Sequence, residues 1–428
     1  MLTAVVGINW GDEGKGRMVD LLSSEYDIIC RYQGGNNAGH TVVNEKGKFI
    51  LNLIPSGILR DTTVNLMGNG MVIDIEHLCG EIKMLTDKGV KVSPDNLKIS
   101  DKAVICMPYH KAQDILEEER LGDKKYGSTR RGIAPVYADK YMKKALRMGD
   151  LFDFAGLGEK LKDLVDWKNL FMAGYGNCKF EISEILGWLK TYGKIILPYV
   201  TDTSEYLNAA VKENKNVMFE AQLGALRDID FGIYPYTSSS STIASYAPIG
   251  SGIPGIRLDK TIGIMKAYSS CVGEGPFTAE FFSEEASALR EAGGEYGAAT
   301  GRPRRVGGFD IPASRYGVKT QGADVLALTK LDVLAYFDKI PVCTAYEIDG
   351  ERTLAFPTGD KLLRATPVYE YIEGFKTNIS NISNCRTVND LPKAAVEYIR
   401  YVENAVECPI DYVSVGAGRD DYIMMRGY

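Results

Sequence analysis

Glycines, a lysine and two acids cluster near the start of the chain, in the stretch GINWGDEGKGRMVDLL at residues 7–22. Backbone amides at the start of a helix attract phosphate, and Gly11, Gly14 and Gly16 would let the backbone approach such a ligand closely. The spacing does not fit GxGxxG. It does not fit GxxxxGK[ST] either, and Arg17 stands where Ser or Thr of that motif would bind Mg²⁺. Spacing alone therefore leaves phosphate binding and a simple strand-to-helix turn both open.

Two acidic residues, Asp12 and Glu13, lie inside this glycine loop. Acidic groups beside an anion site are electrostatically unfavourable unless they bind a metal ion or transfer a proton. The two acids therefore favour a phosphate site that also carries metal or proton-transfer chemistry.

A second glycine-rich stretch, RYQGGNNAGHT at residues 31–41, contains His40. The other two histidines, His77 and His110, fall in helix-like segments, so the chain cannot assemble a His-rich metal cluster. A lone histidine is often structural, but a loop of glycines and asparagines packs poorly and exposes hydrogen-bonding groups. We expect His40 to act as an acid or hydrogen-bond donor near neutral pH.

Alternating strand-like and helix-like segments must position these loops. The clearest patterns lie at residues 3–8, 17–24, 64–67, 74–86, 217–220, 261–267, 325–329, 395–406 and 412–415. This alternation predicts an α/β fold with a large, mostly parallel central sheet flanked by helices. Asp349-Gly350 and Gly47 mark two small antiparallel hairpins. We predict a single domain over residues 1–428 with an inserted helical subdomain at about 106–195, where helical pattern and charge are denser.

The composition is that of an ordinary globular protein: 428 residues, 45% of them apolar and 25% charged, which suffices for a large core. A net charge of −6 argues against nucleic-acid and membrane partners. The eight cysteines form no CxxC pair, no apolar run reaches membrane-spanning length, and the chain opens on LTAVVGI without a basic leader. We therefore expect a reduced, cytoplasmic protein.

Six motifs in order resemble the adenylosuccinate synthetase family: WGDEGKGR, RYQGGNNAGHT, LIPSGI, DIDFGIYPYTSSSST, TGRPRR and LTKLD. The resemblance runs from Val5 to Asp421. It implies that the chain converts IMP and L-aspartate to adenylosuccinate with GTP as co-substrate, in the branch of purine synthesis that leads to AMP. It also implies one Mg²⁺ per subunit and a homodimer in which residues near Lys143 and Arg147 reach the partner's site.

The resemblance assigns catalysis to Asp12, His40 and Lys15. Asp12 would remove the N1 proton of IMP and, with the main-chain carbonyl of Gly39, bind Mg²⁺. The resulting 6-oxyanion would attack the γ-phosphate of GTP while His40 hydrogen-bonds to it and Lys15 offsets the developing charge. The amine of aspartate would then displace phosphate from C6 of 6-phosphoryl-IMP.

The resemblance also implies three sets of contact residues. The GTP set is Gly11, Asp12, Glu13, Gly14, Lys15, Gly16, Arg17, Gly39, His40, Thr41, Arg304, Lys330, Leu331, Asp332, Ser414, Val415 and Gly416. The IMP set is Asp12, Glu13, Gly14, Lys15, Asn37, Ala38, Gly39, His40, Thr129, Lys143, Gln222, Leu223, Ser238 and Arg302. The aspartate set is the loop Ala298, Ala299, Thr300, Gly301, Arg302, Pro303 and Arg304. Guanidinium groups suit carboxylate and phosphate, although this loop alone also fits a solvated basic turn.

Within the GTP set, Asp332 follows a buried-looking strand. Its carboxylate suits the N1–H and the exocyclic amine of guanine, although the position also fits an acid that caps the next helix. The resemblance favours a base pocket formed by Lys330, Leu331 and Asp332 and closed by residues 414–416.

Four positions depart from the family pattern. FEGAQG reads FEAQLG here, so Leu223 stands at the IMP-contacting glutamine and Gln222 lies one residue early. Ser238 replaces a threonine and keeps its hydroxyl, whereas Ala299 replaces a threonine and loses a hydrogen bond worth about 0.5–1.5 kcal/mol. Lys143 replaces an arginine and so loses its bidentate fork.

Two alternatives stay open on the sequence. One is the same ligation on another purine monophosphate; a related viral branch that acts on a guanine deoxynucleotide lacks the loop aspartate, whereas Asp12 is present here. The other is a GTP-binding regulatory module that has lost catalysis through its altered substrate contacts.

Overall fold

A computed structural model describes residues 1–37, 39–44, 47–176, 178–297, 301, 303–377 and 379–426 of the chain. Five predicted contact residues lie outside the described residues: Ala38, Ala298, Ala299, Thr300 and Arg302.

The described chain alternates strands with helices. The strands are β1 (Leu2–Gly7), β2 (Ile28–Arg31), β3 (His40–Asn44), β4 (Gly47–Leu51), β5 (Val64–Met67), β6 (Val72–Ile73), β7 (Leu97–Ser100), β8 (Val104–Ile105), β9 (Val200–Thr201), β10 (Val217–Glu220), β11 (Lys260–Lys266), β12 (Ser269–Cys271), β13 (Arg305–Gly307), β14 (Phe309–Asp310), β15 (Val325–Thr329), β16 (Lys339–Ile348), β17 (Glu351–Thr353), β18 (Thr366–Glu373), β19 (Ile410–Ser414) and β20 (Tyr422–Met424). The helices are α1 (Lys15–Leu22), α2 (Ile75–Asp87), α3 (Pro108–Leu121), α4 (Ile133–Tyr141), α5 (Leu157–Met172), α6 (Ile182–Ile196), α7 (Thr203–Lys212), α8 (Ala247–Ser251), α9 (Ser283–Gly293), α10 (Ile311–Gln321), α11 (Asp360–Arg364), α12 (Ile379–Ser383) and α13 (Lys393–Val406).

The main sheet has ten strands in the order β20-β19-β15-β11-β1-β10-β2-β5-β7-β9. Its neighbours are parallel except for the antiparallel pair β19 and β20. All six residues of the central strand β1 are buried, as expected for a parallel strand covered on both faces. The predicted large, mostly parallel sheet flanked by helices is therefore confirmed.

This sheet places the predicted functional loops together. The carboxyl ends of parallel strands meet at one edge of a sheet, and ligands bind in the crevice outside that edge. The glycine loop follows β1, His40 lies beyond β2, and Lys330 follows β15. Helix α1 is held against the sheet because Met18 and Val19 share a buried apolar cluster with Val5, Ile29 and Ile264.

The two hairpins expected from turn residues are also present. β3 and β4 pair in register from His40 with Leu51 to Asn44 with Gly47. β16 and β17 are joined at Asp349 and Gly350, both of which have positive φ. The first hairpin begins at His40, which is a predicted catalytic residue.

Helices α3 to α6 occupy most of the segment between β8 and β9, where sequence patterning predicts a helical insertion. Leu157 and Leu161 of α5 and Leu189 of α6 share one buried apolar cluster with Leu97 and Ile99 of β7. The helices therefore pack onto the core of the sheet. Across the described ranges, no helix combines the length and the apolar character needed to cross a membrane.

Candidate active site

The glycine loop after β1 turns one of its two acids inward and the other outward. Glu13 accepts hydrogen bonds from the backbone N–H of Asn9 (3.2 Å) and of Gly11 (2.7 Å), and its Oε2 lies 2.6 Å from Nζ of Lys15. Glu13 and Lys15 are both buried, so this pair shapes the loop. Asp12 has a φ of 60° and a partly exposed side chain. A non-glycine residue held at positive φ is a strained position of the kind that clusters at functional sites.

Arg304, just before β13, reaches this outward acid. Its Nε lies 3.1 Å from Oδ2 of Asp12, and its Nη1 donates to Oε2 of Glu295 at 2.7 Å. The buried Glu295 also accepts from Nζ of Lys266 (2.7 Å) and from the hydroxyl of Tyr268. Burial opposes the charge of Glu295, but Lys266 and Arg304 outweigh it and lower the pKa of Glu295 to about 2. The arginine is thus anchored by a permanent carboxylate.

His40 lies at the start of β3, buried beside the first turn of α1. Its Nδ1 donates to Oε1 of Glu220 at 2.5 Å, and Glu220 is the last residue of β10. Burial of the ring, together with the charges of Arg31 and Lys15, lowers the pKa of His40 although Glu220 opposes the shift. His40 is consequently close to the glycine loop but held by a neighbouring strand.

Gly16 is the position that allows this approach. A Cβ atom there would lie 2.6 Å from Cβ of His40, which is closer than real Cβ contacts. Only glycine lets α1 begin directly against the histidine.

The two residues of the altered FEAQLG motif point to different parts of the cleft. Nε2 of Gln222 donates to the carbonyl oxygens of Gly35 (2.6 Å) and Asn52 (3.3 Å), and Oε1 of Gln222 is buried with no hydrogen-bond partner in the described part of the chain. Leu223 is half-buried at a φ of 59°, and a Cβ on Gly11 would lie 3.6 Å from Cδ2 of Leu223. Gln222 therefore supports the loop that carries Asn37, Gly39 and His40, whereas Leu223 packs beside the glycine loop.

Ser238 and Thr129 are two predicted IMP contacts that lie outside the glycine loops. Oγ of Ser238 is buried and has no hydrogen-bond partner among the residues the structure describes. Thr129 is exposed on a loop shaped by two acids of α3. Glu118 accepts the backbone N–H groups of residues 126–128, and Asp114 accepts the hydroxyl of Ser128 and the N–H of Gly132.

Lys143 and Arg147 do not join the cleft residues in this chain. Both are exposed beyond the end of α4, and within the described ranges neither side chain forms an ion pair. Lys143 has a φ of 61°.

A separate group of predicted GTP contacts lies at the ends of the neighbouring strands β15 and β19. Burial raises the pKa of Asp332 although Lys330 opposes the shift, and Oδ1 of Asp332 is buried without a hydrogen-bond partner among the described residues. Lys330 has a φ of 65° and donates from Nζ to the carbonyl of Gly293 at 2.7 Å. Four further predicted GTP contacts are also buried: Leu331, Ser414, Val415 and Gly416. An unpaired buried carboxylate oxygen is costly unless a ligand supplies a donor.

Arg17 lies between this group of residues and the glycine loop. Its guanidinium lies 4.5 Å from the ring centroid of Tyr422, and Nη2 donates to the carbonyl of Asp421 at 3.2 Å. The first turn of α1 therefore lies beside the residues just after β19, because the N–H of Val415 also donates to the carbonyl of Asp421.

Asp12 is the predicted carboxylate ligand of Mg²⁺. In the described parts of the chain no group of three or more His, Cys, Asp or Glu side chains gathers to hold a metal ion. Mg²⁺ is commonly held by one or two carboxylates together with oxygens of substrate phosphates and water. Asp12 offers one partly exposed carboxylate of this kind, and its sharing of Mg²⁺ with the carbonyl of Gly39 stays a prediction.

Several residues of the site were not predicted from the sequence. Glu220 and Glu295 are buried and contact His40 and Arg304 directly, whereas the buried Ser56 and Lys266 act through these two acids. Two of them lie in the motifs FEAQLG and LIPSGI, and an acid at the end of an apolar strand was the available signal for Glu220.

The chain is similar to known proteins along nearly its whole length. The family model described as adenylosuccinate synthetase matches residues 4–423. The adenylosuccinate synthetase of Caldanaerobacter subterraneus subsp. tengcongensis is 44% identical over 429 residues, covering 100% of both chains, and that of Halothermothrix orenii is 44% identical, covering 98% of this chain and 97% of its own.

Two solved structures are also similar. The fully ligated adenylosuccinate synthetase from Plasmodium falciparum superimposes with a TM-score of 0.92 at 35% identity, covering 99% of both chains. Succinoaminodeoxyadenylate synthetase of cyanophage S-2L, bound to dGMP and dATP, has a TM-score of 0.62 at 17% identity, covering 99% of this chain and 95% of its own. The second likeness is one of fold alone.

Proposed function

The chain belongs to the adenylosuccinate synthetase family, and from that premise we propose how its cleft performs the reaction. The reaction is the GTP-dependent ligation of IMP and L-aspartate to adenylosuccinate in AMP biosynthesis. The observation that carries the proposal is the outward Asp12 at the tip of the glycine loop, beside a histidine that Gly16 admits to the same loop.

Asp12 is the proposed base. Its carboxylate is partly exposed, whereas Glu13 and Lys15 are buried against each other. Asp12 would take the N1 proton of IMP, so that the 6-oxygen carries the charge and attacks the γ-phosphorus of GTP. The bond from this phosphorus to the β,γ-bridging oxygen breaks, which releases GDP and leaves 6-phosphoryl-IMP. The amine of aspartate then attacks C6 and displaces phosphate.

His40 and Lys15 are proposed to stabilise the charge that moves during phosphoryl transfer. His40 would hydrogen-bond to the 6-oxygen and the transferring group, and Lys15 and the amides of residues 11–17 would face the phosphates. Asp12 and the carbonyl of Gly39 would hold Mg²⁺, one per subunit. When bound, that ion offsets the charge on the phosphate oxygens.

The guanine of GTP is proposed to lie at Asp332. The unpartnered Oδ1 of Asp332 supports this position, because guanine offers N1–H and an amine side by side. Lys330, Leu331 and residues 414–416 would enclose the base, and Arg17, Thr41 and Arg304 would complete the GTP contacts.

IMP is proposed to lie between the loop at 34–41, residues 12–15 and the hydroxyl of Ser238. Gln222 rather than Leu223 would take the glutamine role, since Gln222 already hydrogen-bonds the IMP loop at Gly35. Ala38, Arg302 and Thr129 stay predicted IMP contacts, and Ala298, Ala299, Thr300, Gly301, Arg302, Pro303 and Arg304 stay the predicted aspartate loop.

A homodimer is proposed, with Lys143 and Arg147 reaching the partner's IMP phosphate. The neighbouring Tyr141 and Met142 are 74% and 56% exposed, and exposed apolar residues beside each other mark interaction surfaces. Light scattering that gave the 47.1 kDa mass of one chain at assay concentration would remove this proposal.

We also propose one domain with a helical insertion at about 106–195, which is supported by the shared apolar cluster of α5, α6 and β7. A cytoplasmic location is proposed from the absence of disulfides among the described cysteines.

The test is an activity assay with IMP, GTP, aspartate and Mg²⁺, in which the purified protein should produce the adenylosuccinate absorbance. Asp12→Asn should abolish turnover and leave GTP binding by calorimetry largely intact. Retained turnover in that variant would remove Asp12 as the base. The same assay with dGMP in place of IMP tests the alternative purine, for which Leu223 is the one motivating residue. GTP binding without IMP-dependent phosphate release would favour the regulatory module.

A further inference from the structure

His40 differs from the other two histidines in the ring nitrogen that donates its hydrogen bond. His110 accepts the N–H of Met107 at Nδ1 (2.9 Å), and its Nε2 lies 2.9 Å from Asp139. His77 uses Nε2 toward Oδ1 of Asn52 at 3.0 Å. His40 instead uses Nδ1, at 2.5 Å from Oε1 of Glu220. In the part of the chain that the structure describes, no hydrogen bond engages Nε2 of His40.

The surroundings of Glu220 hold its carboxylate in place to accept the hydrogen bond from His40. Its side chain is 0% exposed at the end of β10. The hydroxyl of Ser56 donates to Oε1 at 2.7 Å, and the backbone N–H of Ser56 donates to Oε2 at 2.8 Å. Burial opposes the charge of Glu220, but His40 and Arg31 outweigh it and lower the pKa of Glu220, so Glu220 accepts and His40 donates.

The LIPSGI motif supplies the fixed end of this chain of bonds. Ser56 begins the turn at Ser56–Leu59, and a Cβ on Gly16 would lie 3.0 Å from its Oγ. The serine is therefore wedged against the start of α1. If Glu220 moved, its two hydrogen bonds to Ser56, which packs against Gly16, would break.

We propose that Glu220, seated by Ser56, is a positioning residue that fixes the tautomer and ring orientation of His40 so that Nε2 faces the substrate. This inference rests on the proposed function of His40. The hydrogen bond at one ring nitrogen decides which form the other nitrogen presents, and loss of the carboxylate that orients a catalytic histidine lowers kcat. The carboxylate also offsets the charge of the imidazolium that a hydrogen bond from Nε2 to an oxyanion requires.

The experiment compares Glu220→Gln with the wild-type full-length protein, labelled with ¹³C,¹⁵N-histidine. Only three histidines give signals, and His40→Asn assigns the resonance of His40. Without substrates, the wild type should show His40 protonated at Nδ1, and His77 and His110 at Nε2. Glu220→Gln should change the His40 ring signals alone and lower kcat by about tenfold or more, with KM for GTP changed by less than about threefold.

Glu81→Gln is the matched control. Glu81 is also a buried glutamate, but it accepts the backbone N–H groups of residues 52–54, and no hydrogen bond joins it to a histidine in the described structure. This variant should alter stability and leave the His40 signals unchanged. If Glu220→Gln does not fold, Ser56→Ala keeps the charge and loosens the carboxylate, and should give a smaller change in both readouts.

Unchanged His40 signals in Glu220→Gln, or changed signals with unchanged kcat, would overturn the proposal. The failure of the proposed function is a separate result, namely no adenylosuccinate from the wild type. The tautomer is measured without substrate and is not affected by that outcome.

Discussion

Arg304 and Asp12 form an ion pair across the mouth of the cleft, with Nε 3.1 Å from Oδ2. The same guanidinium donates to the buried Glu295. Glu295 therefore holds Arg304 in place beside Asp12, the proposed base. A ligand with phosphate oxygens competes for this arginine, because guanidinium groups bind phosphate as well as carboxylate. The proposed binding of GTP would therefore free Asp12 for IMP.

Arg304→Gln should raise KM for GTP by about tenfold or more, since a charge-assisted contact to phosphate is lost. Arg305 is the matched control. It donates to Glu280 at 2.8 Å and to the carbonyl of Gly275 at 2.7 Å, so Arg305→Gln should lower stability more than GTP affinity. Steady-state kinetics and thermal unfolding separate the two effects. Equal KM changes in both variants would contradict a special role for Arg304.

Gln222→Leu should raise KM for IMP by about tenfold, because Nε2 of Gln222 hydrogen-bonds the carbonyl of Gly35 in the IMP loop. Leu223→Ala should change KM for IMP by less than about threefold, since only apolar packing beside Gly11 is lost. Initial rates at saturating GTP and aspartate give both values. The opposite ranking would show that Leu223 occupies the place of the family glutamine.

Asp332→Asn should weaken GTP more than ITP, because ITP lacks the exocyclic amine with which the carboxylate is proposed to pair. The expected loss of discrimination between the two nucleotides is about tenfold, the worth of one charged hydrogen bond. The ratio of kcat/KM for GTP and ITP measures it. An unchanged ratio would mean that the amine is recognised elsewhere than at Asp332.

Asp310 should make the protein less stable as the pH rises. Burial raises the pKa of Asp310 to about 7, although the N–H of Ala313 and the hydroxyl of Tyr346 stabilise its charge. The folded state therefore binds a proton that the unfolded chain has released above about pH 3.9. The contribution of Asp310 to stability is complete below that pH and is lost as the pH rises to about 7 and beyond.

Urea unfolding at several pH values tests this expectation against Asp310→Asn, which keeps the acceptor and cannot ionise. The variant should gain stability relative to the wild type between pH 5 and pH 8, by an amount on the order of a few kcal/mol. A constant difference across this range would show that Asp310 does not titrate there.

The motifs predicted the parts of the cleft that depend on local residue types. Gly11 and Gly14 have φ of 102° and 101°, which glycine adopts without strain, so their spacing marks the loop before α1. The alternation of apolar strands and helices predicted the parallel sheet, and the carboxyl edge of that sheet then brings the loops together.

Other relationships depend on residues far apart in the chain. Glu220 and His40 are 180 residues apart, and Arg304 and Asp12 are equally invisible as a pair to any local pattern. The order of β10, β1 and β2 in the sheet sets which charged side chains come close together. Charges interact strongly only over short distances, and packing sets those distances. The sequence by itself therefore indicated the loops and the chemistry that we propose for them. The tertiary structure decided which acid holds His40, which acid meets Arg304, and which of Gln222 and Leu223 supports the IMP loop.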